Sequence, residues 1–481
     1  MGTAGHILAA ALTLTLFWAC RAPSDRPGDI VLVSVDTLRA DHLDLYGYAR
    51  QTTPELKRWF AEGRIFERSY ATSSYTTASM VSLLSGQLPQ EHGLRLFDQL
   101  LPEDAVLITE LLPGEYQKAA FIANGVLSDR AMAIAHRFDH FDDRMELRLD
   151  SLGLERSAEN LTDAAIAWLE DQRDSTRPLF LWVHYMDPHT PYDPPQEWRK
   201  LFDHRREGDA APRAIVRFQA QQDEKTPLDQ IDAYDAEIAY TDSQIGRLLE
   251  AYGRGANLDD ALLVFTADHG ESLAERGLWF QHSLHVFDEL VRVPLLIRGP
   301  GFSAGRDGRL TSAIDLLPTF LAFAGVDSPE VLAGGDLARP AAYDGQRTIF
   351  VESMSGFDGT QWRAAIREDG KWFARVNRDG TITRRFSDPS TDPGETKLGP
   401  WPEDSSGGEE LMALIERDPD PAGRPSDYRQ GALLQHQIEL LRDLGYIVED
   451  APGEGPKTGE KGRSKFTEQQ LERLRQLGLW K

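Results

Sequence analysis

Short apolar runs recur along the first two thirds of the chain: IVLVSV (Ile30–Val35), AAFIA (Ala119–Ala123), LFLWVHY (Leu179–Tyr185), LLVFTA (Leu262–Ala267) and VPLLI (Val293–Ile297). A run of this length without polar alternation reads as a strand buried on both faces. Between the runs, apolar positions return at helical spacing. Leu161, Ala165, Trp168 and Leu169 share one face, and Tyr234, Ile238, Ile245, Leu248 and Leu249 form a second stripe just before LLVFTA. Strands alternating with helices predict an α/β fold: a mostly parallel central sheet with helices on both faces.

The texture then changes. TIFVES, RAAIRED, KWFARVN and TITRRFSD follow one another with Gly and Asp between them, which predicts a smaller C-terminal antiparallel sheet subdomain. GEGPKTGEKGRSK (Gly453–Lys465) reads as a flexible linker before a short charged helix, TEQQLERLRQLGL. The polar stretch 203–230 interrupts the main pattern and reads as a surface insertion at the rim of the site. The expected organisation is a signal segment over 1–20, a catalytic domain over 29–340, a smaller α+β subdomain over 341–450, and a linker with a terminal helix over 451–481.

Composition narrows the function. Of the 481 residues, 41% are hydrophobic and 27% charged, which suits a folded globular protein rather than a disordered one. A formal charge of −25 excludes a nucleic-acid partner, because phosphate binding needs a positive surface. Cys20 is the only cysteine, so a disulfide within the chain and a cysteine-rich metal site are both excluded. It closes the apolar run Ile7–Ala19, which is short for a membrane span and is followed by polar RAPSDRPGD. That order resembles a bacterial lipoprotein signal with Cys20 as the lipidated residue, although no Lys or Arg precedes the run. The expected location is periplasmic or cell-surface, with membrane contact only through an N-terminal lipid or signal anchor. A plain secretion signal and an uncleaved anchor stay open.

Chemistry gathers where function collects in such sheets, at the C-terminal ends of the strands. IVLVSV runs into Asp36, LFLWVHY into Asp187 and His189, and LLVFTA into Asp268 and His269. Carboxylates and imidazoles converging on one edge suit a divalent cation. SYTTASMVSLLSG (Ser74–Gly86) packs five hydroxyls into six residues and then turns apolar. Taken alone, Thr76 there is a plain helix N-cap.

The ordered set of segments decides between these readings. DIVLVSVDTLRADHLDLYGY through SYTTASMVSLLSGQLPQEHG, then FLWVHYMDPHTPYDPP, YDAEIAYTDSQIGRLL, FTADHGESLAERGLWFQHSLHVFDELVRVPLLIRGPG and AIDLLPTFLAFAGV, resembles the sulfatase family of the alkaline phosphatase superfamily. The resemblance implies an alkaline-phosphatase-like fold and a metal-dependent ester hydrolase. Asp36, Asp268 and His269 are the implied metal ligands. Where many sulfatases carry paired Asp and Asp-Asn, this chain has Asp36-Thr37 and Asp268-His269. Losing a carboxylate and gaining an imidazole favours Mn²⁺ or Zn²⁺ over Ca²⁺. One essential ion is expected, a second is left open, and Asp187 is undecided.

At the family's C-x-P-S-R motif this chain reads Thr76-Thr77-Ala78-Ser79-Met80. Thr cannot become formylglycine, so that nucleophile is not expected. Phosphodiesterases and phosphatases of the superfamily use an unmodified Thr or Ser here. A hydroxyl at a helix N-terminus beside a metal is suited to that role. Thr76 is therefore the expected nucleophile, with His189 or His282 protonating the leaving group and Ser79 supporting the loop. Asn124 is either a substrate donor or a turn residue; Arg39 either meets the anion or forms an ion pair. His92 is expected to buttress the loop after the nucleophile helix, and His184 and His285 to be structural. The expected substrate is a small anionic ester or a sulfated or phosphorylated glycan, with the phosphoester favoured. The alternative is a non-catalytic lipoprotein that binds such a glycan.

Overall fold

The computed structural model describes residues 27–418, except 97–98, 149–152, 206–226, 274, 276–278, 340–346, 355–359, 378 and 404. The signal segment with Cys20, most of the 203–230 insertion, and the linker and terminal helix lie outside the described residues.

Eight strands form the central sheet: β1 (Ile30–Val35), β2 (Arg64–Tyr70), β3 (Gln117–Ile122), β4 (His140–Asp142), β5 (Leu179–Tyr185), β6 (Leu262–Ala267), β7 (Arg292–Arg298) and β8 (Gly305–Ser312). Their spatial order is β8-β2-β7-β6-β1-β5-β3-β4. Every pairing is parallel except the two made by β7, so β7 alone runs against the rest. The expected mostly parallel sheet is present, and VPLLI is its one reversed strand. The apolar runs occupy the middle because a strand flanked on both sides and covered on both faces excludes water entirely; all six residues of β1 are buried.

Alternation along β1 divides two cores. Val31, Val33 and Val35 pack with Leu161, Ala165 and Trp168 of α3 (Ala158–Asp171) and with Tyr234, Ile238, Ile245 and Leu248 of α4 (Pro227–Gly255). Ile30 and Leu32 face α2 (Thr76–Ser85), through Met80, Val81 and Leu84, and α5 (Leu316–Phe323). The short α1 (Pro54–Trp59) lies with α4 on the first face. Each fully buried large apolar side chain contributes about 1.5–3 kcal/mol, so the two cores together fix which ends of the strands carry the site. Both expected helical stripes are present and inward-facing.

The antiparallel meander is also present, as β9 (Ile349–Met354), β10 (Gln361–Arg367), β11 (Gly370–Val376) and β12 (Ile382–Ser387) in that order, covered by α6 (Ser406–Arg417). It docks on the central domain through β9: Glu352 N donates to Thr72 O at 2.8 Å, four residues before Thr76. Among the described residues no helix is long and apolar enough to cross a membrane.

Candidate active site

The register of the sheet brings the strand ends level. Val35 of β1 pairs with Tyr185 on one side and with Ala267 on the other, so Asp36 and Asp268 leave adjacent strands at the same height. Thr37 holds them together. Its φ of 51° is a left-handed conformation that a β-branched residue adopts at a cost of about 1–3 kcal/mol. In it, the Thr37 amide donates to Asp268 Oδ1 at 3.1 Å, and its carbonyl accepts from Tyr234 Oη at 2.8 Å.

Both carboxylates are fully buried, and each keeps one oxygen without a hydrogen-bond partner, Oδ1 of Asp36 and Oδ2 of Asp268. Burial alone would raise the Asp36 pKa, but the imidazole of His184 and the nearby His189 and His269 hold it below the usual carboxylate range. Burial and the charge of Asp36 push Asp268 up to about 7. Two buried carboxylates with unmatched oxygens are costly and fit a bound cation.

His269 faces the same point. Its Nδ1 lies 2.9 Å from the Gly270 carbonyl, which requires a proton on Nδ1 and leaves the Nε2 lone pair inward. Nε2 lies 3.4 Å from Asp268 Oδ2, 4.0 Å from Asp36 Oδ1 and 3.2 Å from Thr76 Oγ1. Burial lowers the His269 pKa and keeps the ring neutral, the form that binds a metal.

Thr76 is the first residue of α2, and Tyr75 is the N-cap. The Thr76 hydroxyl therefore does not cap the helix; it points to His269, at the positive end of ten residues of helix. Ser79 Oγ donates to the Asp268 carbonyl at 2.6 Å, pinning the first turn of α2 to the end of β6. His92 donates from Nε2 to Ser82 Oγ at 3.0 Å, since its Nδ1 accepts from the Leu94 amide. It ties the C-terminal half of α2 to the loop that follows it. Met80 points into the apolar core.

Several open assignments acquire partners. Asn124 Nδ2 donates to Asp36 Oδ2 while its Oδ1 accepts from the Val126 amide at 2.9 Å, so one side chain both closes the turn and holds the carboxylate. Arg39 forms an ion pair: two bonds to Asp41 at 2.8–2.9 Å, one to Glu275 at 2.8 Å and one to the Glu271 carbonyl at 3.1 Å. Asp187 Oδ2 accepts from the Ala158 amide at 2.8 Å, at the N-terminus of α3. His285 packs edge-on against Phe287.

Two residues escaped the sequence reading. His184, expected to be structural, places Nε2 3.5 Å from Asp36 Oδ2, and Asp36, His184 and Asp268 form a group able to hold a cation. Its Nδ1 meets Ser34 Oγ at 2.8 Å, and that oxygen accepts from Trp182 Nε1 at 2.9 Å. An imidazole inside an apolar strand looks like core; the signal was its register with Ser34, one residue before two adjacent strand ends. The other is Glu271, fully buried beside His282 and Tyr192. His282 stacks on His269 with ring centroids 4.8 Å apart, and His189 meets it edge-on at 5.0 Å. The structure thus gathers Asp36, Thr76, Ser79, Asn124, His189, Asp268, His269 and His282 at one place.

The sulfatase family model matches residues 28–326. The chain belongs to the sulfatase family. It is therefore an ester hydrolase by family. An arylsulfatase of Clostridium perfringens (strain 13 / Type A) is 24% identical to this sulfatase-family chain over 423 residues, 72% of this chain and 86% of the relative. Among solved structures, one in complex with its substrate D-glucosamine-2-N,6-O-disulfate superposes with a TM-score of 0.67 at 20% identity. The match covers 84% of this chain and 99% of the other. The phosphonate monoester hydrolase of Silicibacter pomeroyi superposes with a TM-score of 0.62 at 19% identity, covering 86% and 95%. These structural likenesses show the shared fold.

Proposed function

We propose that this sulfatase-family hydrolase cleaves anionic esters with Thr76 as an unmodified nucleophile, and that phosphoesters are its favoured substrates. The observation that carries the reading is the Thr76 hydroxyl. It stands 3.2 Å from the lone pair of His269, at a helix N-terminus, beside two carboxylates with unmatched oxygens. Asp36, Asp268 and His269, with His184 at their flank, would hold a divalent cation, Mn²⁺ or Zn²⁺ in preference to Ca²⁺. When bound, that ion supplies Lewis-acid neutralisation of the ester oxygens and a lowered pKa for a neighbouring hydroxyl.

The chain's own groups account for the rest. Thr76 Oγ gives up its proton to solvent water and attacks phosphorus or sulfur, forming a Thr76 ester as the bond to the leaving oxygen breaks. His282 or His189 gives a proton to that oxygen, so it departs as an alcohol. Water then attacks the Thr76 ester and returns one proton to the same imidazole, while the departing Thr76 oxygen recovers from solvent the proton it gave up, so the anion and the free threonine are released. Asn124 and Ser79 keep the carboxylate and the nucleophile helix in place throughout.

Thr76 in place of the family Cys, and the buried Met80 in place of the family Arg, favour phosphorus. The superposition with the phosphonate monoester hydrolase supports that reading. The arylsulfatase relative and the neighbour with a disulfated glucosamine support a second one, a sulfated sugar. Assays of the purified protein with Mn²⁺, Zn²⁺ or Ca²⁺ on aryl phosphate, diester, phosphonate and sulfate esters test both. Turnover of sulfate esters alone overturns the phosphoester preference, and turnover of no ester overturns the enzyme.

Export and lipidation at Cys20 complete the proposal and rest on the Ile7–Cys20 signal. In a bacterial host the protein should partition with membranes and incorporate labelled fatty acid. Cys20→Ser should abolish the label; a label retained in that variant overturns lipidation there.

A further inference from the structure

The two segments that carry the cation ligands leave adjacent strands and outrun the backbone ladder between them. Asp268 still donates its amide to the Val35 carbonyl, at 3.4 Å. Beyond that point Asp36–Arg39 and Asp268–Glu271 are joined by two hydrogen bonds that use side chains. The Thr37 amide donates to Asp268 Oδ1 at 3.1 Å, and Arg39 Nη1 donates to the Glu271 carbonyl at 3.1 Å. His269 lies between these two bonds, so the first alone does not place it. The Arg39 amide is itself anchored, donating to Tyr234 Oη at 3.0 Å. Its stem lies against Gly270, where an added Cβ would stand 3.2 Å from Arg39 Cγ. The head divides its donors: Nε and Nη2 hold Asp41 at 2.9 and 2.8 Å, while Nη1 also meets Glu275 Oε1 at 2.8 Å. Glu275 in turn accepts from the Leu273 amide at 2.6 Å, so the grip extends along the turn after β6.

We infer that Arg39 is a positioning residue for the cation site: it fixes where His269 stands relative to Asp36, and through that spacing it selects Mn²⁺ over the larger Ca²⁺. The separation it controls is the 4.0 Å between His269 Nε2 and Asp36 Oδ1, one ligand from each segment. Selectivity among divalent cations follows the size and flexibility of the cage as well as its ligand types, and Ca²⁺ tolerates the looser geometry. Stability alone does not explain the burial of Arg39. Its side chain is 5% exposed, whereas those of Asp41 and Glu275 keep 43% and 21%. Ion pairs that water reaches contribute little, so the bond that rewards burial is the inner one, to the Glu271 carbonyl. The residue type is demanding too. Only a guanidinium grips one carboxylate with two parallel bonds and still offers a third nitrogen to that carbonyl; a lysine brings a single nitrogen.

This inference rests on the cation site of the proposed hydrolase, and its test uses no turnover. Calorimetry measures Mn²⁺ and Ca²⁺ binding to the full chain and its variants. Arg39→Met keeps the stem on Gly270 and removes the head; it should weaken Mn²⁺ about tenfold and Ca²⁺ less than about threefold, narrowing the preference. Arg39→Lys keeps the charge, protects the fold if the Met variant fails to form it, and should narrow the preference in the same direction. Glu275→Gln removes a charge and leaves the bond to the Glu271 carbonyl in place, so it should change Mn²⁺ affinity less than about threefold. Equal losses of both ions, or an unchanged preference in Arg39→Lys, would overturn the inference. So would a Glu275→Gln loss as large as that of the Arg39 variants, which would assign the effect to charge, and so would an unsubstituted chain that binds neither ion. A chain whose ion preference depends on Arg39 but which hydrolyses no ester keeps the inference and removes the hydrolase reading. Ester turnover in a chain whose ion preference ignores Arg39 does the reverse.

Discussion

Thr76 and Asp268 carry opposite kinds of information about the same residue cluster. The Thr76 hydroxyl makes no capping bond and is directed at His269, so its removal should cost catalysis and little else. Thr76→Ala is expected to lower kcat by about 10³-fold or more while leaving the melting temperature and metal content unchanged. Thr76→Ser should retain a substantial part of the activity, because the nucleophilic oxygen survives. A Thr76→Ala protein that still turns over would show that the nucleophile lies elsewhere. Asp268, in contrast, reports on the cation. Burial and the charge of Asp36 raise it to about 7, so below that pH the carboxyl holds a proton that a cation must displace. Affinity for Mn²⁺ should fall about tenfold per pH unit below 7 and level off above it. Calorimetric titration should find close to one proton released at pH 6 and almost none at pH 8. An affinity independent of pH between 5 and 8 would place the cation away from Asp268.

At the level of elements, legibility followed burial. The strands β1, β5 and β6 announced themselves because every one of their positions faces the core. The edge strands β8 (GRDGRLTS) and β4 (HFD), and the half-exposed β2 (RIFERSY), did not. Their side chains meet solvent on at least one side, so no apolar run marks them. The site followed the same rule in reverse. Residues just past the ends of buried strands were readable, while His184 was hidden inside one and Glu271 lay in a turn whose register only the fold supplies. The turn after β6 is where this matters most. Gly270 donates its amide to the Leu290 carbonyl at 2.7 Å and leaves no space for a methyl group against Glu289. Gly270→Ala must displace His269 on one side and Glu271 on the other. It is expected to lower activity on every ester at least about tenfold and to weaken Mn²⁺ binding, with the backbone shift visible in a crystal structure. Full activity in that variant would show that the turn is not held as tightly as its contacts require.

Across the whole molecule, the meander is coupled to the loop that leads into Thr76 through buried charge. Arg95, three residues beyond His92, donates to Asp418 at 2.6 Å and pairs with Glu352 of β9 at 3.0 Å. Arg363 of β10 reaches the same Asp418 oxygen, and all three of Arg95, Arg363 and Asp418 have almost fully buried side chains. Asp418 follows α6, so one carboxylate joins the end of the subdomain helix, its sheet and the segment behind the nucleophile helix. Glu352, from the same network, bonds through its amide to Thr72, and Thr72 leads directly into Ser73, Ser74 and the Tyr75 cap. Replacing the shared acid leaves the buried Arg363 guanidinium without its carboxylate and Arg95 with Glu352 alone, which typically costs about 3–5 kcal/mol. Asp418→Ala should therefore destabilise the protein by about that amount in denaturant titrations. Where it remains folded, it should also lower kcat, because the loop carrying Thr76 loses the strand it rests on. Substitution of Arg363 to Met in the Asp418→Ala background removes the guanidinium that has lost its acid and should recover part of the stability. If stability returns without activity, the subdomain positions the nucleophile loop through these bonds; if Asp418→Ala changes neither, the two sheets are joined by their apolar contacts alone.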